Sequence, residues 1–432
     1  MKRRNLKLAK PPPVLVSRKR EPDENDEAED AESDSDPQKN GSNNLKKVSG
    51  FVATCRRYLT YAKYVILILF IPPFLNYASL QKEEKQLRPD DGELYDIGFG
   101  QKLYMSCKGQ GLPTVILDAP TGMTSDVWVL IQEQVAKITK TCIYDRAGLG
   151  FSDRPFQNYS KKKTRSDDED ENYEEVNDDE DEIEKRGRER WAIFTVERMV
   201  DDLHVLLTNS SNQTEPFVLV GSELGALVSR FYAQIYEREV SDLILVDPLV
   251  EDLFQQDSGI WTQFWFGHLI PSFQGLQLAA AAGISRLAFM VGMISQPIIG
   301  ENIPEEIIMR QKHLMCNPRH LSSVVDEHYF VNETFSQIRT AWRLKQFQSR
   351  ISVTVITGNY YDEQLPSTLN KAWAKAQQTL ISKLLPQSKH FVINGADHRM
   401  IYKMPSAVSE SIMRVVKRRK QHLKSGQTTS TR

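Results

Sequence analysis

Phe217 to Ala233 reads FVLVGSELGALVSRFYA. An apolar run, a sharp turn framed by Gly221 and Gly225, and a second apolar stretch together predict a strand, a turn and a helix. Glu223 stands at the centre of that turn. A side chain there projects at the start of a helix, where free backbone N–H groups favour negative charge. The question is whether this carboxylate performs chemistry or has taken the place of a group that did.

Outward from this stretch the same alternation continues. Before it come two short strand-like runs in GELYDIGFGQKLYMSCKG, a buried strand in PTVILDA, helical spacing in DVWVLIQEQVAKI, another strand in TCIYD and a helix in FTVERMVDDLHVLL. After it come the strand SDLILVD, then ISVTVITG and SKHFVING separated by the helical LNKAWAKAQQTLISKLL, and a closing helix PSAVSESIMRVVKRRK that ends in basic residues. Strands alternating with helices predict an α/β fold, with a mostly parallel central sheet covered on both faces.

Two segments interrupt the pattern. The acidic insertion at 160–190 cannot bury apolar area and is expected to leave the domain as a surface loop. Residues 249–350 are helical in character and unusually apolar, with WTQFWFGHLIPSF and LQLAAAAGISRLAFMVGMISQPIIG. Arg286 divides the second run, so a lid helix packed on the body, covering a site and able to dip into the lipid membrane, is expected in preference to a second membrane span.

The chain has 432 residues, of which 40% are apolar, enough for one large domain with an insertion. Its net charge of -2 conceals segregation: the first twenty residues are basic, whereas Glu21–Asp36 and Asp167–Glu184 are largely acidic. Such runs are read as solvated segments. No basic groove interleaved with aromatics points to nucleic acid. Cys55, Cys107, Cys142 and Cys316 lack the short paired spacing of a zinc site, and no metal or other cofactor is expected. Cys107 and Cys142 lie in apolar strand-like runs and are read as packed thiols, a disulfide being the alternative in an oxidising compartment.

Residues 1–50 lack the apolar periodicity needed to fold and are expected to form a disordered cytosolic tail. The segment at 61–80 contains YVILILFIPPFLNYASL, Tyr64–Leu80, uncharged over about 17 positions, the lower end of a helical bilayer span. Pro72 and Pro73 would kink it. Lys46, Lys47, Arg56, Arg57 and Lys63 precede this segment, which favours a cytosolic N-terminus and a lumenal or extracellular body. Asn158, Asn209, Asn212 and Asn332 begin glycosylation sequons in that body, although Asn40 begins one on the other side. A kinked hairpin or interfacial anchor with a cytosolic body, and a buried core segment, are the alternatives. The folded domain is placed at 92–417, followed by a basic tail at 418–432.

PTVILDAPTGMTSDVW, YDRAGLGFSD, FVLVGSELGALVSRFYA, DLILVDPLVED and INGADHRMIYKMPSAV, in this order, resemble the α/β-hydrolase fold superfamily, and most of all its branch with YDRAG-G-SD after the fourth strand. The resemblance implies a nucleophile on the turn, a later acid and a base before the last helix. These positions fall on Glu223, Asp362 and His398, with Asp247 as the alternative acid. It also implies an oxyanion hole from the backbone N–H groups of Leu224 and Thr121. Pro120 stands where that loop usually has glycine. Asp145 and Arg146 resemble a structural pair that shapes the loop.

The departure at the nucleophile decides the functional expectation. A carboxylate attacking an acyl carbon forms a mixed anhydride, a poor general route. Aspartate does occupy this position in relatives that open epoxides or displace halide, but glutamate is a methylene longer, and a misplacement near 1 Å can cost about a hundredfold. Ser222 is adjacent, yet a shift of one residue on such a turn changes which way a side chain points. The expected function is therefore a membrane-anchored pseudoenzyme that acts by binding a lipid-like or protein ligand, with no nucleic-acid partner. The alternative is a hydrolase of ester, lipid or epoxide substrates using Glu223 or another nucleophile with His398. An apolar lid beside a membrane suits a lipid-like ligand under either expectation.

Overall fold

The computed structural model describes residues 38–98, 100–155, 194–300, 302–346 and 350–430. The acidic insertion at 160–190, the sequon at Asn158 and most of the N-terminal tail lie outside them. The chain divides into two compact units, Met1–Val65 and Ile66–Arg432.

Helix α1, Gln38–Leu87, runs across that division and contains Pro72 and Pro73. Its part Arg56–Leu87 is long and apolar enough to cross a bilayer, by length and composition. An unfolded tail reaching residue 50 is corrected, because residues 38–50 are helical. Extending an existing helix adds one hydrogen bond per residue fixed, which is far less costly than nucleating a new one.

The second unit is built on an eight-stranded sheet in the order β1-β2-β4-β3-β5-β6-β7-β8. These strands are β1 Gly92–Asp96, β2 Lys102–Lys108, β3 Thr114–Asp118, β4 Thr141–Tyr144, β5 Phe217–Glu223, β6 Val240–Pro248, β7 Ser352–Gly358 and β8 Lys389–Ile393. The first two are antiparallel additions at one edge; from β4 to β8 every pairing is parallel. The central strands are buried almost throughout, as a sheet covered on both faces requires. On one face pack α2, Val129–Val135, and the last helix; on the other pack α3, Val196–Val205, and α4, Leu224–Ile235.

Between β6 and β7 the lid contributes α5 Ile260–Phe264, α6 Ile270–Ala281, α7 Ile284–Met290, α8 Glu305–Met315, α9 Pro318–Tyr329 and α10 Val331–Leu344. Helix α11, Ser367–Thr379, links β7 to β8; α12, Met400–Lys403, and α13, Pro405–Ser430, close the chain. The basic stretch from residue 418 is accordingly helical and not a separate tail. Arg419 Nε lies 2.6 Å from Asp242 Oδ2, while Val408, Ile412, Val415 and Val416 bury one face of α13.

Cys107 and Cys142 are directly opposite in the antiparallel pair of β2 and β4, with Cα atoms 4.0 Å apart, and form a disulfide. The expectation of two packed thiols is corrected. Strand register, invisible at a sequence separation of 35, brings them face to face.

Candidate active site

Parallel strands point their C-terminal ends the same way, so side chains at the ends of β3, β5 and β6 collect at one edge. Glu223 ends β5 with φ 46° and ψ -112°, a strained conformation for a residue with a side chain. Both neighbouring glycines are sterically required. A Cβ on Gly221 would collide with the Gly225 carbonyl, and one on Gly225 would lie 2.6 Å from the Asp118 carbonyl oxygen. The tight strand-to-helix turn is thus intact, with glutamate at its apex.

Glu223 is partly accessible. Burial pushes its carboxyl up to about 7; the negative charge of Asp247 adds to the rise, while His398 and the Thr121 hydroxyl and backbone N–H oppose it. Thr121 is buried, and its hydroxyl approaches the carboxylate without completing a hydrogen bond: Oγ1 has no partner among the described residues. Leu224 opens α4 directly after Glu223 and is buried. Ser222 is fully buried, and its hydroxyl has no partner among the described residues, so it is sealed from any bound molecule.

The acid facing His398 is Asp247. His398 Nδ1 lies 2.7 Å from Asp247 Oδ2, so the ring donates to the carboxylate. Trp373 Nε1 and Gln377 Nε2 donate to Oδ1 at 3.2 and 2.7 Å, and the Trp373 ring meets the His398 ring edge-on at 4.8 Å. Burial would raise the Asp247 pKa, but the His398 charge and these donors more than offset it and hold the carboxyl below its usual range. Burial would lower the His398 pKa, but Asp247 foremost, with the charges of Glu223 and Asp362, more than offsets it and holds the ring above its ordinary value. A cleft of about 150 Å³ is lined by Asp247, His398, Trp373, Gln377, Tyr360 and Tyr361.

Asp362, the first choice for the acid position, is engaged by a different partner. Its carboxylate is held bidentately by Arg399, with Nη2 2.7 and 2.9 Å from its two oxygens. A planar guanidinium immediately after His398 matches a carboxylate fork. Asp247, the alternative, is the next-to-last residue of β6, which pairs with β5 itself, in register Glu223↔Pro248.

Asp145 and Arg146 both shape the loop after β3, but with separate partners. Asp145 Oδ1 accepts from the Ser125 backbone N–H and hydroxyl at 2.8 and 2.7 Å. Arg146 reaches Asp118 at 2.5 Å, Glu327 of lid helix α9 at 2.7 Å, and the carbonyls of Ala119 and Pro120. Glu327 also accepts from the Gly122 N–H at 2.8 Å. One buried network therefore ties the lid to the loop carrying Thr121. Trp373, Gln377 and Glu327 were not anticipated from sequence; only the four-residue spacing of Trp373 and Gln377, which places them on one helical face, hinted at a joint role.

The sheet order, the elbow after β5 and the histidine after β8 decide the architecture. This chain has the α/β-hydrolase fold. No protein-family model and no curated protein sequence matches it. Solved structures do. A putative epoxide hydrolase from Pseudomonas aeruginosa is 15% identical with a TM-score of 0.52, covering 77% of this chain and 97% of its own. The Cif epoxide hydrolase from Acinetobacter nosocomialis is 13% identical with a TM-score of 0.53, covering 79% and 95%. A putative lipase from Acinetobacter baumannii is 15% identical with a TM-score of 0.51, covering 80% and 97%. At such identities the likeness concerns the fold alone, and α/β-hydrolase folds carry many functions.

Proposed function

We propose that this chain is a membrane-anchored α/β-hydrolase-fold protein that has lost serine-hydrolase chemistry and acts by binding a lipid-like or protein ligand. The observation that carries this reading is the carboxyl at the apex of the turn, raised to about 7, with the hydroxyl of the adjacent Ser222 sealed in the core. At neutral pH such a carboxyl is about half protonated, which reduces the fraction present as a nucleophilic carboxylate. Loss of a serine nucleophile typically costs about a millionfold in rate. The Cys107–Cys142 disulfide and the exposed sequons at Asn209, Asn212 and Asn332 support a body in an oxidising, lumenal or extracellular compartment.

A second reading is hydrolysis through Glu223 itself, favoured by the fully hydrogen-bonded Asp247–His398 pair and the partial accessibility of Glu223. Its carboxylate would open an epoxide carbon or displace another leaving group, and water deprotonated by His398 would cleave the resulting ester. Epoxide hydrolases among the structural neighbours make this the substrate class to try first.

One set of assays separates the readings. Purified full-length protein is treated with a fluorophosphonate probe and with ester, lipid and epoxide panels, beside Glu223→Ser. Binding alone predicts a silent wild type, with labelling gained only in the serine variant. Wild-type turnover abolished by Glu223→Gln and by His398→Ala would overturn it in favour of the carboxylate nucleophile.

A further inference from the structure

The lid carries a surface that the candidate active site does not use. Leu278, Ile284, Leu287, Met290, Val291 and Met293 are all at least half exposed, between 51% and 79%. In α7 the pattern is inverted relative to a water-facing helix: Ser285 is fully buried, while Ile284, Leu287 and Met290 point outward. Soluble surfaces rarely present so large a contiguous apolar patch. Arg286, the one charged residue between Leu269 and Gly300, does not break it up, because its guanidinium turns inward to Glu83 at 2.6 and 2.9 Å.

Glu83 belongs to α1, and one face of that helix is fitted to the lid. Asn76 is buried, donating to the carbonyls of Ala280 and Cys316 at 2.9 and 3.0 Å and accepting from Arg286 Nε at 2.9 Å. His313 Nδ1 lies 3.0 Å from Glu83. Gly283, at the turn between α6 and α7, is so close to the Pro72 carbonyl that any Cβ would overlap it. The polar groups of Asn76 and Glu83 are therefore answered by the lid, whereas Leu69, Phe70, Phe74, Leu75 and Tyr77 remain exposed elsewhere on the helix.

We propose that the α6–α7 corner of the lid is embedded in the same lipid leaflet as α1, so that anchor and lid form one membrane-inserted unit. The inference rests on the anchoring role given to α1. At a helical rise of 1.5 Å per residue, Asn76 and Pro72 lie roughly 6 and 12 Å from Leu80, where the apolar run ends. A lid turn seated against them reaches the depth at which amphipathic helices lodge, roughly 5 to 10 Å into the boundary of headgroups and acyl chains. Lipid suits the patch better than a second copy of the chain because the lid turn at Gly283 touches α1 at Pro72, next to the exposed Leu69, Phe70, Phe74 and Leu75, and because the patch is uncharged, with its one basic residue neutralised from behind.

The test uses the full chain in phosphatidylcholine vesicles, carrying an environment-sensitive label at Met290→Cys or Met293→Cys in a Cys55→Ser background, with Glu410→Cys as a control on exposed α13. Nitroxide-bearing lipid is expected to remove about half of the emission or more at 290 and 293 and to leave the control unchanged. Alkaline carbonate extraction, run in parallel, reads the anchor separately. A chain that stays in the membrane while both lid labels escape quenching overturns the embedded lid, as does a label shielded from water but not quenched by lipid, the result for a protein partner. A chain stripped by carbonate overturns the anchoring role of α1, and quenching of the vesicle-bound chain then decides the lid contact on its own.

Discussion

His398 Nδ1 lies 2.7 Å from Asp247 Oδ2, and the carboxylate is held from its other side by Trp373 and Gln377. Asp247 therefore dominates the charge that raises the His398 pKa, and Asp362, tied to Arg399, contributes least. Asp247→Asn is expected to bring the His398 titration down, since burial is then opposed only by the charges of Glu223 and Asp362. Asp362→Asn is expected to move it far less. The stabilisation from charged His398 is fully present below the ordinary histidine value and lost as pH rises through the folded one. Proton NMR of the imidazole C–H resonances measures this; a larger shift in Asp362→Asn than in Asp247→Asn would sink the assignment.

Burial holds the Glu223 carboxyl at about 7, against an ordinary value of 4.5. Folded protein therefore keeps a proton that the unfolded chain releases, and wild-type stability falls as pH rises from the unfolded value through 7. Glu223→Gln removes the charge while keeping the shape. It is expected to stabilise by about 2 kcal/mol at pH 8 and by little at pH 5. Urea unfolding at the two pH values checks this, and an equal effect at both would show that the carboxyl is not raised.

The tight turn and the place of His398 were legible because each sits in a short local pattern: Gly221 and Gly225 must flank any residue at that apex, and His398 follows the last strand just before the closing helix. The carboxylate that meets His398 was not, because it depends on which strand lies beside β5 and on where Arg399 points. Glu327 was invisible for the same reason: its partner Arg146 is 181 residues away. Alternation of apolar runs exposed the sheet and its helices, whereas the register that joins Cys107 to Cys142 exists only once the strands pair.

Glu327 fastens the lid to the loop after β3 through Arg146 and the Gly122 N–H. All three charges of the Asp118–Arg146–Glu327 group are buried. Removing one partner from a buried ion pair costs about 3 to 5 kcal/mol, because the other charge stays desolvated. Glu327→Ala is expected to lose about 3 kcal/mol, and Glu327→Gln, which can still accept one N–H, about half of that. Hydrogen exchange should quicken in the peptide spanning Ala119–Met123 in the alanine variant. Unchanged exchange there would mean that the lid does not hold the loop.

The Cys107–Cys142 link closes a segment of 35 residues between two paired strands at the sheet edge. Cross-linking over that separation restricts the unfolded chain and is worth about 3 to 4 kcal/mol on chain-entropy grounds. Replacing both cysteines with alanine is expected to lower the unfolding free energy by about that amount under non-reducing conditions, and to leave a variant whose stability no longer responds to reductant as that of wild type does. Urea denaturation with and without reductant measures the energy, and mass analysis of unreduced peptides reads the pairing directly. Free thiols at both positions in protein taken from its native cells would overturn the link and withdraw its support for an oxidising compartment.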